Sequence, residues 1–534
     1  MFRFFFNLFF QNKSFLKSFM RGYRFIRKEK QFKFILKLKQ KLTVTKVEIY
    51  PKFYDKYLFL NSKNLNKELL IRQLLISRFL NLEFNKSMLS FFGLKKRIIY
   101  PLPKSWIKII IGEGIGIKKF ISLILLKFCF LLYLTYSIFY FLKVLRNTFL
   151  NPIEKGVLNQ DCIYLDNIPE NIITSFDSNY IINWFRKNLK NKISEHNNII
   201  ISSGNNNKYI KDDENKVFIW NPLSTLKSKR HILSFSIWYF RALFLGLIDI
   251  FISEGYRSFL LTESIKTKVF IINNFNSCFK YLYFHNTNWI YRPLWTYTAE
   301  QNGAKNVLYF YSANLVHFSN QFHEKDLFSY GWESNTWSNY YVWDFYMKKF
   351  LEIPLENPNI EINGIVPFFN KYIDLPAYNI KKNSKVIAIF DVQPVRDSFF
   401  QALHQYPYYT PENCIKFMAD ILEICEEFDY TVIYKGKRSI GSNLHPKYRF
   451  FIEGISSKNF FNAPTETPPQ QIIELSNAVI SLPFTSTSII ANNLNFKTCF
   501  YEPTGKIKYS ELHTHGIPIF SSKEELREWL NLIN

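Results

Sequence analysis

The chain has 534 residues and carries 68 Lys and Arg against 43 Asp and Glu, a formal net charge of +25. A hydrophobic fraction of 47%, with 56 Phe and 33 Tyr, excludes a disordered protein, and the length exceeds what one core usually serves, so two or three domains are expected. Such an excess of cations calls for an anionic partner: nucleic acid, anionic lipid or a phosphorylated small substrate.

The leader MFRFFFNLFFQNKSFLKSFMRGYRFIRKEKQFKFILKLKQK interleaves Arg3, Lys13, Lys17, Arg21, Arg24, Arg27 and Lys28 with Phe and Leu. That pattern suits a segment lying on an anionic membrane surface; a solvated basic helix is the plainer alternative. Nucleic-acid binding lacks a zinc-finger, RNP or GxxxxGK[ST] pattern, so no nucleic-acid partner is expected. The leader has no apolar core ending in a small-residue cleavage site and does not read as a signal peptide. The six cysteines stand far apart without CxxC spacing, which argues against a disulfide framework or a zinc site and fits reducing cytoplasm.

KRIIYPLPKSW (Lys96 to Trp106) predicts a strand, a proline turn and a helix. FISLILLKFCFLLYLTYSIFYFL (Phe120 to Leu142) follows, flanked by Lys118, Lys119, Lys143 and Arg146. It is long enough to cross a bilayer, yet Lys127 sits inside it, so a membrane span and a helix buried in the first domain both stand. ILSFSIWYFRALFLGLIDIF (Ile232 to Phe251) contains Arg241 and Asp249 and is expected to pack inside a soluble domain. The Asn-rich HNNIIISSGNNNKYIKDDENK (His196 to Lys216) between them predicts a surface loop.

From Lys280 the pattern becomes regular. KYLYFHN predicts a strand, RPLWTYTAEQNGA (Arg292 to Ala304) a helix ending at glycine, KNVLYFYSAN another strand, and NYYVWDFYMKKFLE repeats the alternation. After a proline-bearing connection it restarts: strand Lys385 to Pro394, helix Pro411 to Asp429, strand Tyr430 to Arg438, a short strand near FFIEG, helix PPQQIIELSN, strand AVISLPF, a helix from Ser488 and strand Lys497 to Pro503. Short β-rich runs between helices imply parallel sheets with right-handed crossovers, hence two Rossmann-like domains in tandem.

Ligands of open parallel sheets lie beyond the carboxyl ends of the strands. In the last domain those ends carry Asp391, Gln393 and Arg396; Lys435, Lys437 and Arg438; and the hydroxyl run Thr485, Ser486, Thr487 and Ser488. Each piece alone has a plain explanation, since Ser and Thr are ordinary helix caps and strand-end lysines are ordinarily solvated. Occurring together, they describe a pocket for the diphosphate or phosphodiester of a nucleotide-sugar, with helix amides and hydroxyls as donors and lysines as countercharge. No GxGxxG supports a dinucleotide oxidoreductase.

Pro483-Phe484-Thr485-Ser486 within SLPFTSTS resembles the signature of the bacterial polysaccharide-biosynthesis proteins named for their PFTS motif. RPLWTYTAEQNGAKNVLYFYSAN and YPLPKSW also resemble parts of that family, so the likeness runs from about Lys96 to the C-terminus. The resemblance implies a GT-B-like α/β fold: two Rossmann-like domains with parallel sheets facing across a cleft, plus a basic N-terminal helical extension. It divides the chain into an extension (1–95), an acceptor domain (96–360) and a nucleotide-sugar donor domain (361–534).

More distantly, the last domain is similar to sialyl- and Kdo-transferases that use CMP-activated acidic sugars and contact the CMP phosphate through a Lys-Gly-His-Pro element and a Ser/Thr cluster. Lys435-Gly436 matches in part; His445-Pro446 comes eight residues later, and His445 either reaches the phosphate or is a surface residue ahead of a proline. An inverting transfer needs a carboxylate base, for which Glu254, Glu263 and Glu300 are alternatives. Ser312 and Asn314, at the end of a strand, stand on the acceptor side, with His317 and His323 beyond them. No HExxH or DxD pair suggests a metal, so no metal ligand and no cofactor other than the nucleotide-sugar substrate is expected.

The function implied is a glycosyltransferase of capsule or O-antigen-like surface polysaccharide. It would work at the cytoplasmic face of the inner membrane, peripherally or with one span at 120–142, on a glycan or lipid-linked acceptor. A CDP-glycerol-type polyol phosphotransferase and a non-catalytic scaffold of a glycan assembly complex are the rivals.

Overall fold

The structure is a computed structural model. It describes residues 29–49, 55–60, 65–94, 97–150, 161–166, 168, 184–185, 198–202, 217–219, 221–286, 290–313, 319–320, 332–366, 372, 385–392, 394, 408–437 and 444–533. Residues 1–28 of the basic leader lie outside this set. The chain forms two compact units, one from residues 1–169, 189–309 and 330–340, the other from 170–188, 310–329 and 341–534.

The first unit opens with helices α1 (Glu29–Val44), α2 (Lys67–Phe79), α3 (Leu82–Leu94) and α4 (Lys104–Gly112). Asn66 caps α2 by accepting from the Leu69 N–H, and Pro103 stands before the first residue of α4, where no partner for its missing N–H is needed. These helices are tied into the unit: Gln73 donates to Thr336 Oγ1 at 2.8 Å, and Ser334 Oγ to the Thr43 carbonyl at 3.1 Å.

Three long helices follow in packing contact: α5 (Lys119–Leu150), α6 (Ile232–Ile252) and α7 (Tyr256–Ile272). Helices α5 and α6 run antiparallel, since Phe141 stacks on Tyr239 with ring centroids 4.1 Å apart while Leu134 lies against Gly246. A Cβ at Gly246 would come within 3.2 Å of Leu134, so the glycine permits this close approach. Gly255 makes the turn into α7 at φ +82°, where an added Cβ would meet Phe130 at 2.8 Å.

Asp249 ends α6 against that turn. Its carboxylate accepts from the Arg257 N–H at 2.9 Å and from Ser253 Oγ at 2.5 Å, and the Arg257 guanidinium bridges Asp249 at 3.4 Å and Asp55 at 3.3 Å, all of them buried. Lys67 pairs with Asp55 in turn.

The strands of this unit are β1 (Cys162–Asp166), β2 (Asn198–Ser202), β3 (Val217–Ile219), β4 (Phe279–His285), β5 (Lys305–Tyr309) and β6 (Asn339–Val342), with α8 (Leu294–Gln301) between β4 and β5. Their order across the sheet is β3-β2-β1-β4-β5-β6. Strand β1 pairs parallel with β2, Asp166 opposite Ser202, and with β4, Leu165 opposite Tyr283.

In the second unit, after α9 (Phe345–Glu352), come β7 (Val386–Phe390), α10 (Pro411–Glu427), β8 (Thr431–Lys435), α11 (Pro446–Glu453), β9 (Phe460–Asn462), α12 (Pro469–Glu474), β10 (Ala478–Ser481), α13 (Ser486–Asn493), β11 (Lys497–Tyr501), α14 (Glu511–Thr514), β12 (Ile519–Phe520) and α15 (Lys523–Leu532). The sheet runs β9-β8-β7-β10-β11-β12 with parallel pairings throughout. Strands β7, β8 and β10 are wholly buried, as continuous β-branched runs covered on both faces must be. The expected class, α/β with two parallel Rossmann-like sheets and a helical N-terminal region, is the observed one.

Four expectations need correction. Within the expected surface loop His196 to Lys216, residues Asn198–Ser202 form β2, because three consecutive isoleucines pair beside β1 despite their Asn-rich surroundings. FFIEG is not a strand but the end of α11; its Pro446 start and His445 cap nucleate a helix, and the strand comes later as β9. The stretch Ile232 to Phe251 is helical yet not enclosed, because one side of α6 stays exposed. Phe120 to Leu142 lies within α5 and is not enclosed as a buried helix, since one side is buried against the unit and the other is exposed.

The Asp249–Arg257–Asp55 cluster, with Lys67, ties α6 and α7 to α2. Replacing Arg257 by Ala strands the buried Asp249 carboxylate and leaves Asp55 with Lys67 alone, and should cost about 3–5 kcal/mol, read as a lowered urea midpoint. A loss under about 1 kcal/mol would show that the cluster is not structural.

Candidate functional site

Both sheets reverse their winding at the centre. In the first, the chain moves outward from β1 through β2 to β3, then returns to the other side of β1 with β4; in the second, β7 and β10 stand in the same relation. Helices flanking such a reversal diverge and leave a crevice at the carboxyl ends of the two central strands. The residues there are Asp166 and His285 in the first unit, and Phe390-Asp391 and Ser481-Leu482 in the second.

At the first reversal lies a cavity of about 440 Å³, lined by Arg78, Asp166, Glu263, Lys266, His285 and Tyr291 together with Phe284, Trp295 and Trp337. Strand β1 delivers Asp166, β4 delivers His285, and α7 presents Glu263 and Lys266 from successive turns. Lys266 Nζ donates to Glu263 Oε1 at 2.7 Å. Burial opposes the Lys266 charge, but Glu263 and then Tyr140 overcome it and hold the ammonium above its ordinary value.

Burial pushes the Asp166 carboxyl up from 3.8 to about 6, against a 2.9 Å hydrogen bond from Tyr164 Oη and the attraction of Lys266. Burial, and then the neighbouring Glu263 carboxylate, pushes the Tyr291 hydroxyl up, so the two side chains form an acid–phenol pair in the cavity lining. Aromatic faces beside carboxylates and a cation suit a sugar-like ligand with apolar ring faces and many hydroxyls.

Of the three glutamates weighed as base, the structure separates all. Glu263 lines the cavity. Glu300 is held by Arg292 at 2.7 Å, and Glu254 accepts from Tyr256 Oη and from the Lys104 N–H at 3.4 Å. Asp166, Lys266, His285, Tyr291 and the two tryptophans were not among the residues singled out from the sequence. The acid closing CIYLD at a strand end was the available signal.

The second reversal carries the hydroxyl run. Pro483 leads into Phe484, whose backbone lies in the left-handed region at φ +60°, a conformation costing a residue with a Cβ roughly 1–2 kcal/mol. The Phe484 ring is buried beside His513 and Phe500, with centroids at 5.2 and 6.0 Å, and Tyr409 Oη donates to the Pro483 carbonyl at 3.0 Å. This turn sets the start of α13 directly at the end of β10.

Thr485 occupies the cap position, but its hydroxyl donates inward to Ser481 Oγ at 2.6 Å and to the Leu482 carbonyl at 3.0 Å, so α13 has no side-chain cap. Ser488 Oγ likewise joins Ser481 at 2.5 Å, fully buried. The expectation of four ligand-facing hydroxyls is therefore corrected to two: Thr485 and Ser488 brace the turn from within. Ser486 and Thr487 remain half-exposed on its first turn, with Ser486 Oγ accepting from the Ala313 N–H at 3.1 Å.

The other residues singled out for the phosphate fall differently. Asp391 is buried and accepts from Tyr434 Oη at 2.5 Å, Tyr448 Oη at 2.7 Å and the Lys437 N–H at 3.0 Å; burial raises its pKa, and it serves as an internal hub instead of a ligand contact. Lys435 is also buried, its charge disfavoured by desolvation, with Nζ 3.3 Å from the Thr465 carbonyl. Lys437 is exposed at the end of β8.

His445 caps α11 by accepting from the Lys447 N–H at 3.3 Å, which accounts for its place before Pro446. Ser312 is half-buried, one residue before the Ala313 amide that meets Ser486. Gln393, Arg396, Arg438, Asn314, His317 and His323 lie outside the described residues. No group of three or more His, Cys, Asp or Glu suited to a metal occurs among the described residues.

Comparison with known proteins gives one family and a set of distant structures. No curated protein matches the chain. Among solved structures it is similar to a UDP-GlcNAc 2-epimerase from Methanocaldococcus jannaschii in complex with UDP-GlcNAc and UDP, at 10% identity over 70% of this chain and 92% of that one, TM-score 0.33. It is also similar to a UDP-forming α,α-trehalose-phosphate synthase from Burkholderia vietnamiensis, at 7% identity over 70% and 89%, TM-score 0.35. The glycosyltransferase VinC in complex with dTDP matches at 9% identity over 70% and 90%, TM-score 0.34. The profile of the family described as "Polysaccharide biosynthesis PFTS motif protein" matches residues 238–530, more than half of the chain, with Pro483-Phe484-Thr485-Ser486 inside the match, and the chain belongs to that family.

Proposed function

We propose that the chain is a glycosyltransferase of bacterial surface polysaccharide synthesis, of the capsule or O-antigen kind, moving a sugar from a nucleotide-sugar to a glycan or glycolipid acceptor at the cytoplasmic face of the inner membrane. Family membership supports the pathway class. The observation that carries the reaction is that each sheet's reversal presents one half of the chemistry: a carboxylate-and-aromatic cavity in the first unit, and an uncapped helix start in the second.

In this reading the cavity takes the acceptor. Trp295 and Trp337 supply part of the apolar wall for a sugar, while Glu263 and Lys266 hold its hydroxyls. Asp166, with a pKa near 6, is poised to accept a proton near neutral pH. The donor phosphate lies at the amides and hydroxyls of Ser486 and Thr487. The bond from anomeric carbon to phosphate oxygen breaks and one to the acceptor oxygen forms. The acceptor proton passes to Asp166, and the charge left on the nucleotide phosphate meets the helix N-terminus. CMP-activated sugars are the first donors to test, and no metal or further cofactor is invoked.

Asp166→Asn should lower transfer by about 10²–10⁴-fold. The wild-type rate should rise with pH through about 6 as the base loses its proton. Because folding raises this pKa above its ordinary 3.8, the carboxylate destabilises the fold at neutral pH, and that penalty fades as pH falls through about 6. The Asn variant should accordingly melt no lower than wild type at pH 7.5, and be up to about 3 kcal/mol more stable. An inactive variant that also melts lower would indicate a structural role.

A melting-temperature panel with CMP, CDP, UDP and GDP reads the donor side, because a ligand of the native state stabilises it. One nucleotide should raise the melting temperature of wild type, and Ser486→Ala/Thr487→Ala should abolish the shift while costing the unliganded fold only the Ser486–Ala313 hydrogen bond, about 1 kcal/mol. If no nucleotide acts, the donor assignment is wrong; preference for CDP with transfer from a CDP-polyol would favour the phosphotransferase.

A further inference from the structure

The sides of α5 and α6 that face away from the first unit carry the wrong chemistry for water. On α6, Leu233, Ile237, Phe240, Phe244, Leu247 and Phe251 recur at alternating four- and three-residue steps, and all are exposed, Phe240 by 59% and Phe244 by 62%. On α5 Phe120, Ile124, Phe128, Leu131, Ile138 and Leu142 are exposed at helical spacings of three, four and seven residues, Phe120 being 75% exposed. A surface helix in water shows charge on this side. The buried sides hold the polar groups instead: Ser137 bonds Tyr239, Asn147 bonds Ser224, and Thr148 accepts from the Leu226 N–H.

Charge selects the occupant. Helix α5 has no acidic residue, and the one in α6, Asp249, is buried against Arg257. Basic residues gather at the ends, Lys118 and Lys119 before and at the start of α5, Arg146 near its end, and Lys229, Arg230 and His231 before α6; Arg241 is exposed midway along α6, and Lys127 and Lys143 are half-buried along α5. Lys229 sits 5.2 Å from the Phe149 ring, joining the two helix ends. An apolar face with cations and no exposed acid on its helices matches hydrocarbon beneath anionic headgroups.

Length alone would allow either helix to span, at about 48 Å for α5 and about 32 Å for α6 from 1.5 Å per residue. The packing argues against it. Helix α7, with Glu263 and Lys266, covers the inner side of both, and the Asp249–Arg257–Asp55–Lys67 cluster lies at the α6–α7 turn. A span would draw these charges, and the strands behind them, into hydrocarbon.

We infer that α5 and α6 form a membrane-docking face that lies in the plane of an anionic bilayer without crossing it, seating the first unit on the lipid surface. This rests on the inner-membrane location proposed above and not on the donor or acceptor chemistry, so lipid binding and sugar transfer can fail separately.

The test uses the full chain floated with vesicles of phosphatidylglycerol and phosphatidylcholine, or of phosphatidylcholine alone. Binding should need the anionic lipid and fall at least about tenfold in Phe240→Glu/Phe244→Glu, whose exposed positions leave the melting temperature unchanged. Orientation is read with Lys119→Cys and Arg146→Cys, since all six native cysteines are buried. An impermeant maleimide should label both sites in inverted membrane vesicles and neither in spheroplasts. Labelling at one end only on each side would mean a span. Absence of flotation, or a dimer by light scattering that the double variant dissociates, would overturn the proposal in favour of a protein partner or a second copy.

Discussion

A parallel sheet wound outward in both directions from its first strand cannot cover the carboxyl ends of its two central strands, because the crossover helices on either side diverge there. This chain meets that constraint twice, at β1 and β4 and at β7 and β10. What differs is the filling. In the first unit the gap is deep and walled by side chains from β1, β4, α7 and α8. In the second it is edged by a tight turn whose polarity comes mainly from the peptide backbone.

Much of the second unit was legible in the chain itself. Its strands are short β-branched runs, and its helices carry local start signals: Thr410 before Pro411, His445 before Pro446, Ser522 before α15. In the first unit the apolar helices and the alternation from β4 onward were legible, but not the strands before β4. Strands β1 and β2 are five residues each, set among asparagines and charges, and what makes them strands is their pairing with β4 and with each other, a property of distant residues.

The same limit applies to the acids. Glu254, Glu263 and Glu300 look alike in sequence, each close to an apolar run, and only the positions of Tyr256, Lys266 and Arg292 tell them apart. The hydroxyl run could be read as ligand-binding or structural, and it turned out divided, since one turn of helix brings residues three apart, Thr485 and Ser488, to the same inner side and leaves Ser486 and Thr487 on the other. Asp391 and Lys435 illustrate the converse error: strand-end position suggested contact with a ligand, but the first faces two tyrosines and the second a backbone carbonyl, in the interior.

The PFTS turn has a consequence for how a family signature should be understood. Thr485 braces the turn from within, and the peptide dipoles at the start of α13 are set by the left-handed twist of Phe484, steadied by its ring beside Phe500 and His513. The aromatic letter of the motif therefore records a mechanical brace. A protein that kept the alcohols but lost the ring would retain the vocabulary of the signature without the posture that gives it meaning.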